Sequence, residues 1–326
     1  MPLLPPDETG LARAADHLHD GGLVAFPTET VYGLGGDATS PTAVAAIFEA
    51  KARPTFNPLI VHVRDLAAAE VLGTFDAAAR SVAESFWPGP LSIVVPRQVN
   101  GAVCDLACAG GETVALRVPA HPVAQSLLKK TGLPLAAPSA NPSGRLSPTT
   151  AQHVAEGFPG SDIVIVNGGP CPIGLESTVV ACTGDGSLRL LRNGAVSREE
   201  LAERAGAVDD ETEPQGDNLP SPGMLARHYA PRIPLRLHAD TAEPDEALLA
   251  FGPDVPAGAA TTRNLSATGD LKEAAANLFA MLHELEQSSA RCIAVMSVPE
   301  DGLGRAINDR LRRGAAASVC PTDDLA

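Results

Sequence analysis

The chain has 326 residues, 44% of them hydrophobic and only 3% aromatic, with 39 acidic against 24 basic side chains and a net charge of −15. That length predicts two domains with cores of Ala, Val and Leu, and the acidic balance excludes broad nucleic-acid binding unless positive charge is concentrated locally. No apolar stretch approaches the ~20 residues of a membrane span, and neither a signal peptide in MPLLPPDETG nor a C-x-x-C pair among the six cysteines is found, so a cytoplasmic protein without membrane association, zinc ribbon or disulfide framework is expected.

In chain order, the first 200 residues alternate short β-rich runs with helical periods. Strands are expected at 22–26, 59–63, 91–95, 113–118, 163–166, 178–181 and 188–192, with a further strand-like run at 133–137. Helices are expected at 11–19, 42–52, 76–86, 122–131 and 149–156. Ser40 suits the N-cap of the second helix, Pro41 its first position, and Pro54 forces the chain to leave it. This alternation predicts an α/β domain on a twisted sheet. The stretch ERAGAVDDETEPQGDNLP at 203–220 is acidic, rich in turn formers and without apolar periodicity, and reads as a linker. The domains are therefore 1–202, a linker at 203–232 carrying the strap SPGMLARHYAP at 221–231, and a small α/β unit at 233–326. In that last unit, strands at 235–237 and 292–297 flank a helix at about 270–288.

The usual catalytic signatures are missing. There is no G-x-x-x-x-G-K-[ST], no G-x-S-x-G, no His–Glu pair at metalloprotease spacing and no metal-binding cluster of Asp and Glu. Gly33-Leu34-Gly35-Gly36-Asp37-Ala38 approaches a dinucleotide fingerprint, but it follows Glu29-Thr30-Val31-Tyr32 rather than a strand, so its glycines read as a tight turn. Polar residues at strand ends remain. Lys51 and Arg53 close the helix at 42–52, where the helix dipole favours cations; with Asn57 they could also converge on one anion. Arg117 shares a strand face with Thr113 and Ala115 and needs a partner, either a structural carboxylate or that of a ligand. His62 faces away from Leu59, Val61 and Val63, as a hydrogen-bonded core histidine would. Ser139 and Asn141 sit in a rigid Pro-flanked turn, Ser177 precedes a strand, and His228 and Tyr229 lie in the strap. Cations and hydroxyls without a nucleophile suit polyanion binding and activation by positioning.

At these residues a family resemblance emerges. Phe26-Pro-Thr-Glu-Thr30-Val-Tyr32-Gly-Leu-Gly, Lys51-x-Arg53-Pro-x-x-Asn57-Pro-Leu, Pro138-Ser-Ala-Asn141 and Gly174-Leu-Glu-Ser177-Thr resemble the YrdC-like family of threonylcarbamoyl-AMP synthases. The strap and the ending Gly302-Leu-Gly-Arg-Ala-Ile-Asn-Asp-Arg resemble its longer, two-domain form. The likeness runs from about residue 8 to about 315. It implies an α/β fold, a twisted open mixed sheet with flanking helices (YrdC/DHBP-synthase-like) plus a smaller C-terminal α/β Rossmann-like domain.

The resemblance also implies a nucleotidyltransferase. L-threonine, bicarbonate or CO2, and ATP would give L-threonylcarbamoyl-AMP and pyrophosphate, the first step of N6-threonylcarbamoyladenosine formation at tRNA position 37. The product would pass to a tRNA threonylcarbamoyl-transferase complex, with direct tRNA binding weak or absent. Matched residue by residue, threonine would meet Thr30, His62, Arg117, Ala137 and Ser177. ATP would meet Lys51, Arg53, Asn57, Thr113, Ser139, Asn141, Ser147, Arg192, His228 and Tyr229. Lys51, Arg53 and Arg117 would carry the catalytic charge. Mg2+ would arrive with ATP, with no protein-held metal and no tightly bound organic cofactor. Two alternatives are an RNA-binding module, opposed by the acidic charge, and a carbamoyl-transfer maturation factor, opposed by the missing C-x-x-C pairs.

Overall fold

The computed structural model describes residues 1–98, 101–182, 187–206, 208–210 and 228–316. Most of the expected linker and residues 221–227 of the strap lie outside the described residues. The chain divides into two compact units. One comprises Met1–Ser143, Pro148–Pro172 and Glu176–Met224; the other comprises Gly144–Ser147, Ile173–Leu175 and Leu225–Ala326.

The first unit runs β1 (Leu3–Leu4), α1 (Glu8–His19), β2 (Val24–Pro27), β3 (Tyr32–Asp37), α2 (Pro41–Lys51), β4 (Ile60–His62), α3 (Leu66–Leu72), α4 (Ala77–Phe86) and β5 (Leu91–Pro96). After a 3-10 turn at Asp105–Cys108 come β6 (Thr113–Arg117), α5 (Pro122–Thr131), β7 (Leu135–Ala136), α6 (Ala151–Gly157), β8 (Val164–Val166), β9 (Thr178–Cys182), β10 (Leu188–Arg192), α7 (Arg198–Ala205) and β11 (Val208–Asp210). The strands form one 11-stranded mixed sheet, ordered β1-β8-β2-β3-β7-β4-β6-β5-β9-β10-β11.

Side-chain caps fix where the helices begin. Asp7, Ser40, Asp65 and Asp76 each accept a backbone N–H three residues on, at 2.8–3.2 Å. Helix α2 starts at Pro41 as expected and ends with Ala52 in the left-handed region, φ 49°, which swings the chain out toward Arg53 and Pro54. Two apolar layers cover the sheet. Val44, Ile47 and Val82 pack with Leu34, Val61, Ile93 and Leu116, while Leu11, Leu18, Leu127 and Leu128 pack with Val24 and Phe26. Each such side chain contributes about 1.5–3 kcal/mol by leaving water. A smaller patch of Ile60, Val94, Ala115, Val179 and Leu191 carries the strand face shared by His62 and Arg117.

The second unit holds β12 (Leu235–Arg236), β13 (Glu246–Ala250), β14 (Thr261–Asn264), α8 (Leu271–Leu285), β15 (Cys292–Val295) and α9 (Leu303–Ala315). Its sheet is parallel throughout, in the order β12-β15-β13-β14, and β13 is buried along its whole length, as a central parallel strand must be.

Three expectations change. The glycine-rich run after Tyr32 is not a tight turn but strand β3, antiparallel to β2 and β7. The acidic stretch from 203 begins inside α7, and Val208–Asp210 pairs in parallel with β10. Cysteine spacing indicated no disulfide framework; Cys292 is nonetheless disulfide-bonded, whereas Cys104, Cys108, Cys171 and Cys182 are free thiols. No described helix is long and apolar enough to cross a membrane.

Candidate active site

The site grows from the connection between β2 and β3. The Thr28 hydroxyl donates to the Val31 carbonyl at 2.6 Å and accepts from the N–H groups of Thr30 and Val31, each at 3.2 Å. This hydroxyl-closed turn holds Glu29 and Thr30 at its tip, with the Thr30 hydroxyl 2.8 Å from that of Thr28.

Arg117 ends β6, beside His62 at the end of the parallel strand β4. Sequence reasoning left its partner open between a structural carboxylate and a ligand's. In the structure its Nη2 donates to Glu29 Oε1 at 2.5 Å and its Nε to the Gly89 carbonyl at 3.3 Å. The other carboxylate oxygen, Oε2, accepts from the N–H groups of Ala120 and His121, at 2.9 and 3.3 Å. Burial raises the Glu29 carboxyl, but the Arg117 charge and these donors outweigh it and hold the group below its ordinary value. Burial first, and then the charge of Arg117, push His62 down to about 3, so its imidazole is neutral. The Nδ1 of this buried ring has no hydrogen-bond partner.

Ala137 follows β7 and is buried, its N–H donating to the Ile60 carbonyl at 2.9 Å. Ser139 bridges to Gly33 on β3. Lys51, at the end of α2, donates from Nζ to the carbonyls of Ser139 and Asn141 and is only 1% exposed. Burial and then the neighbouring Arg53 charge press its pKa well below the ordinary lysine value. Arg53 curls round the next turn, from Nε to the Asn57 carbonyl at 3.2 Å and from Nη2 to the Pro58 carbonyl at 3.0 Å. The Asn57 side chain is fully buried, and neither its Nδ2 nor its Oδ1 has a partner.

On the far side of β5, Arg192 donates to the Ser177 carbonyl from Nε at 3.1 Å and from Nη2 at 2.9 Å, and also to the Ser177 hydroxyl. That hydroxyl meets Ser92 on β5 at 2.8 Å. Thr113 shares the face of Arg117 but lies exposed at the opposite end of β6, about 13 Å from Arg117 at ~3.3 Å per residue.

Ser147, His228 and Tyr229 belong to the second unit. There the Ser147 carbonyl lies 3.2 Å from His283 Nε2. His228 and Tyr229 stack edge-on, with centroids 4.0 Å apart, and the buried Arg310 lies over the Tyr229 ring at 5.0 Å. Tyr229 adopts φ 59°, a left-handed conformation that a bulky residue holds only when its surroundings enforce it. The first seven strap residues lie outside the described set.

Sequence reasoning missed two contributors, Glu29 and Ser92. For Glu29 a signal was present, because an arginine on a central strand demands a carboxylate and Glu29 sits inside a quoted motif. Ser92 gave none. Among the described residues, no group of three or more His, Cys, Asp or Glu side chains could hold a metal ion.

Comparison with known proteins gives a consistent picture. Residues 16–194 match the family model described as telomere recombination, and residues 196–316 match that of the threonylcarbamoyl-AMP synthase C-terminal domain. Threonylcarbamoyl-AMP synthases from Bacillus subtilis and Pyrococcus abyssi are each 38% identical. The alignments cover 97% and 96% of this chain, respectively, and 96% of each relative. The crystal structure of P. abyssi Sua5 complexed with L-threonine superposes with a TM-score of 0.89 at 36% identity, covering 97% of both chains.

Proposed function

This chain belongs to the threonylcarbamoyl-AMP synthase family, and we propose that its buried cations divide the work of the family's one reaction between two anionic substrates. The reaction joins L-threonine, bicarbonate or CO2, and ATP into L-threonylcarbamoyl-AMP and pyrophosphate, and opens the formation of N6-threonylcarbamoyladenosine in tRNA.

Arg117 takes the threonine carboxylate, using N–H groups that Glu29 and Gly89 leave available. Thr30 and Ser177 offer hydroxyls, Ala137 lies against the substrate methyl, and the open Nδ1 of neutral His62 faces the amino acid's polar groups. The threonine amine loses a proton and its lone pair attacks CO2, giving a carbamate. A carbamate oxygen then attacks the α-phosphorus in line, and the bond to the bridging oxygen of pyrophosphate breaks. Lys51, Arg53 and Arg192 offset the charge that builds on the phosphates, while Asn57, Ser139 and Asn141 orient the nucleotide, with Thr113 farther along the strand face of Arg117. Positioning and electrostatics carry the catalysis.

One observation carries this reading. Lys51 is a buried cation that donates only to two backbone carbonyls, and among the described residues no carboxylate pairs with it. A phosphate supplies the missing charge. Among the described residues no group of three or more His, Cys, Asp or Glu side chains could hold a metal ion; Mg2+ would come with ATP, as part of the substrate. No tightly bound organic cofactor is required. The product passes to a tRNA-modifying transferase, and the enzyme works in the cytoplasm.

Steady-state kinetics of two variants test the assignment. Arg117→Ala should raise the threonine KM and leave the ATP KM near its starting value; Lys51→Ala should do the reverse. Exchanged effects would overturn it.

A further inference from the structure

We propose that Glu29 is a positioning residue that presets Arg117 to receive the carboxylate of threonine, an inference that rests on Arg117 being the carboxylate-binding group. A guanidinium has five N–H donors in a rigid fork. Two are committed here, Nε to Gly89 and Nη2 to Glu29. Among the described residues, Nη1 makes no hydrogen bond. Glu29 therefore grips one corner of the fork and leaves enough of it for a second carboxylate.

Glu29 is held at both ends. Its backbone lies in the turn closed by the Thr28 hydroxyl, and its Oε2 is fixed by the N–H groups of Ala120 and His121 just ahead of α5. Those two donors occupy the oxygen that a swinging carboxylate would need to free. The neutral neighbour His62 supplies no competing charge. Without Glu29, Arg117 would be a buried, uncompensated cation, free to turn toward whatever acceptor lay nearest. The same rigidity argues against a placeholder that steps aside when substrate arrives: such a group would compete with threonine, and its removal would tighten binding.

The test compares Glu29→Gln, Glu29→Asp and Arg117→Ala by pyrophosphate release, with melting temperature as a control. L-threoninamide, which lacks the carboxylate, serves as a second ligand measured by calorimetry. Glu29→Gln keeps the shape but sets an amide against two N–H donors. Its threonine KM should rise by about tenfold or more, the scale of a lost charged hydrogen bond. The ATP KM and the affinity for L-threoninamide should stay within about twofold of the parent on the same reasoning. Glu29→Asp, which retains the charge, should recover part of the loss. A threonine KM that is unchanged or lower in Glu29→Gln would overturn the positioning role, as would equal losses for both substrates tracking a lowered melting temperature. Arg117→Ala separates the two claims. If its threonine KM is raised while that of Glu29→Gln is not, only the role of Glu29 falls; if its threonine KM is unchanged, the assignment of Arg117 falls as well.

Discussion

His62 and Arg117 lie directly opposite one another on the parallel strands β4 and β6, so an imidazole is held beside a permanent cation in a buried site. Burial and that charge push His62 from 6.5 down to about 3. Between those values the unfolded chain binds a proton that the folded chain refuses. Stability therefore falls as pH drops through this window, by up to ~1.4 kcal/mol per pH unit for this one group. Glu29, held below 4.5, acts in the same direction at lower pH: its pairing stabilises above 4.5 and is lost as the folded value is crossed. His62→Asn should flatten the stability curve between pH 6.5 and 3 in denaturant titrations. An unchanged slope would show that the ring is not buried neutral.

Lys51 sets stability against function. Its charge is disfavoured in the folded state, so replacing it with an apolar chain of similar length relieves a cost of folding. Lys51→Met should raise the melting temperature, by about 2–4 °C per kcal/mol relieved. The same change should lower kcat/KM for ATP roughly 10- to 150-fold, the worth of a charged hydrogen bond. A lower melting temperature would mean that the two carbonyl contacts fully compensate the buried ammonium.

Strand β3 explains why a glycine-rich run is needed beside the site. A Cβ at Gly35 would lie 2.7 Å from a Phe26 ring carbon, whereas at Gly33 the nearest heavy atom is the Ala137 Cβ at 3.4 Å. Gly35→Ala should destabilise by about 1–3 kcal/mol through overpacking, and Gly33→Ala by much less. Thermal melts of the two variants check the order.

Serine lacks only the methyl that is placed against Ala137. A fitted apolar pocket discriminates one methylene-sized group by ~1–3 kcal/mol, so threonine should be preferred over serine by roughly 10- to 200-fold in kcat/KM. Equal use of the two amino acids would remove Ala137 from the pocket.

Much of the sheet was legible because its central strands are short apolar runs between turn formers, and Leu188–Arg192 and Pro122–Thr131 appear with the expected bounds. Strand β3 was hidden because Gly33, Gly35 and Gly36 weaken every local strand signal; the Phe26 ring fills the space a side chain at Gly35 would occupy, and Leu23 and Ile47 crowd that at Gly36. Helix α3 has seven residues, too few for a clear period, and β13, Glu-Ala-Leu-Leu-Ala, has the composition of a helix and becomes a strand only through burial between β14 and β15. At the site, alternation placed Arg117 and His62 on their strand faces but left Arg117 open between a structural carboxylate and a ligand and read His62 as a core histidine; the family motifs made them site residues. That Arg117 needs a carboxylate was legible, but which one was not, because 88 residues separate it from Glu29 and pairing over that distance is set by the sheet order.

The most direct measurement follows pyrophosphate release and the nucleotide product from the purified chain with ATP, Mg2+ and bicarbonate, with and without L-threonine. Release that requires both threonine and bicarbonate, with threonylcarbamoyl-AMP as the adenylate formed, is the expected result. Release independent of threonine, or AMP without a threonylcarbamoyl adduct, would contradict it.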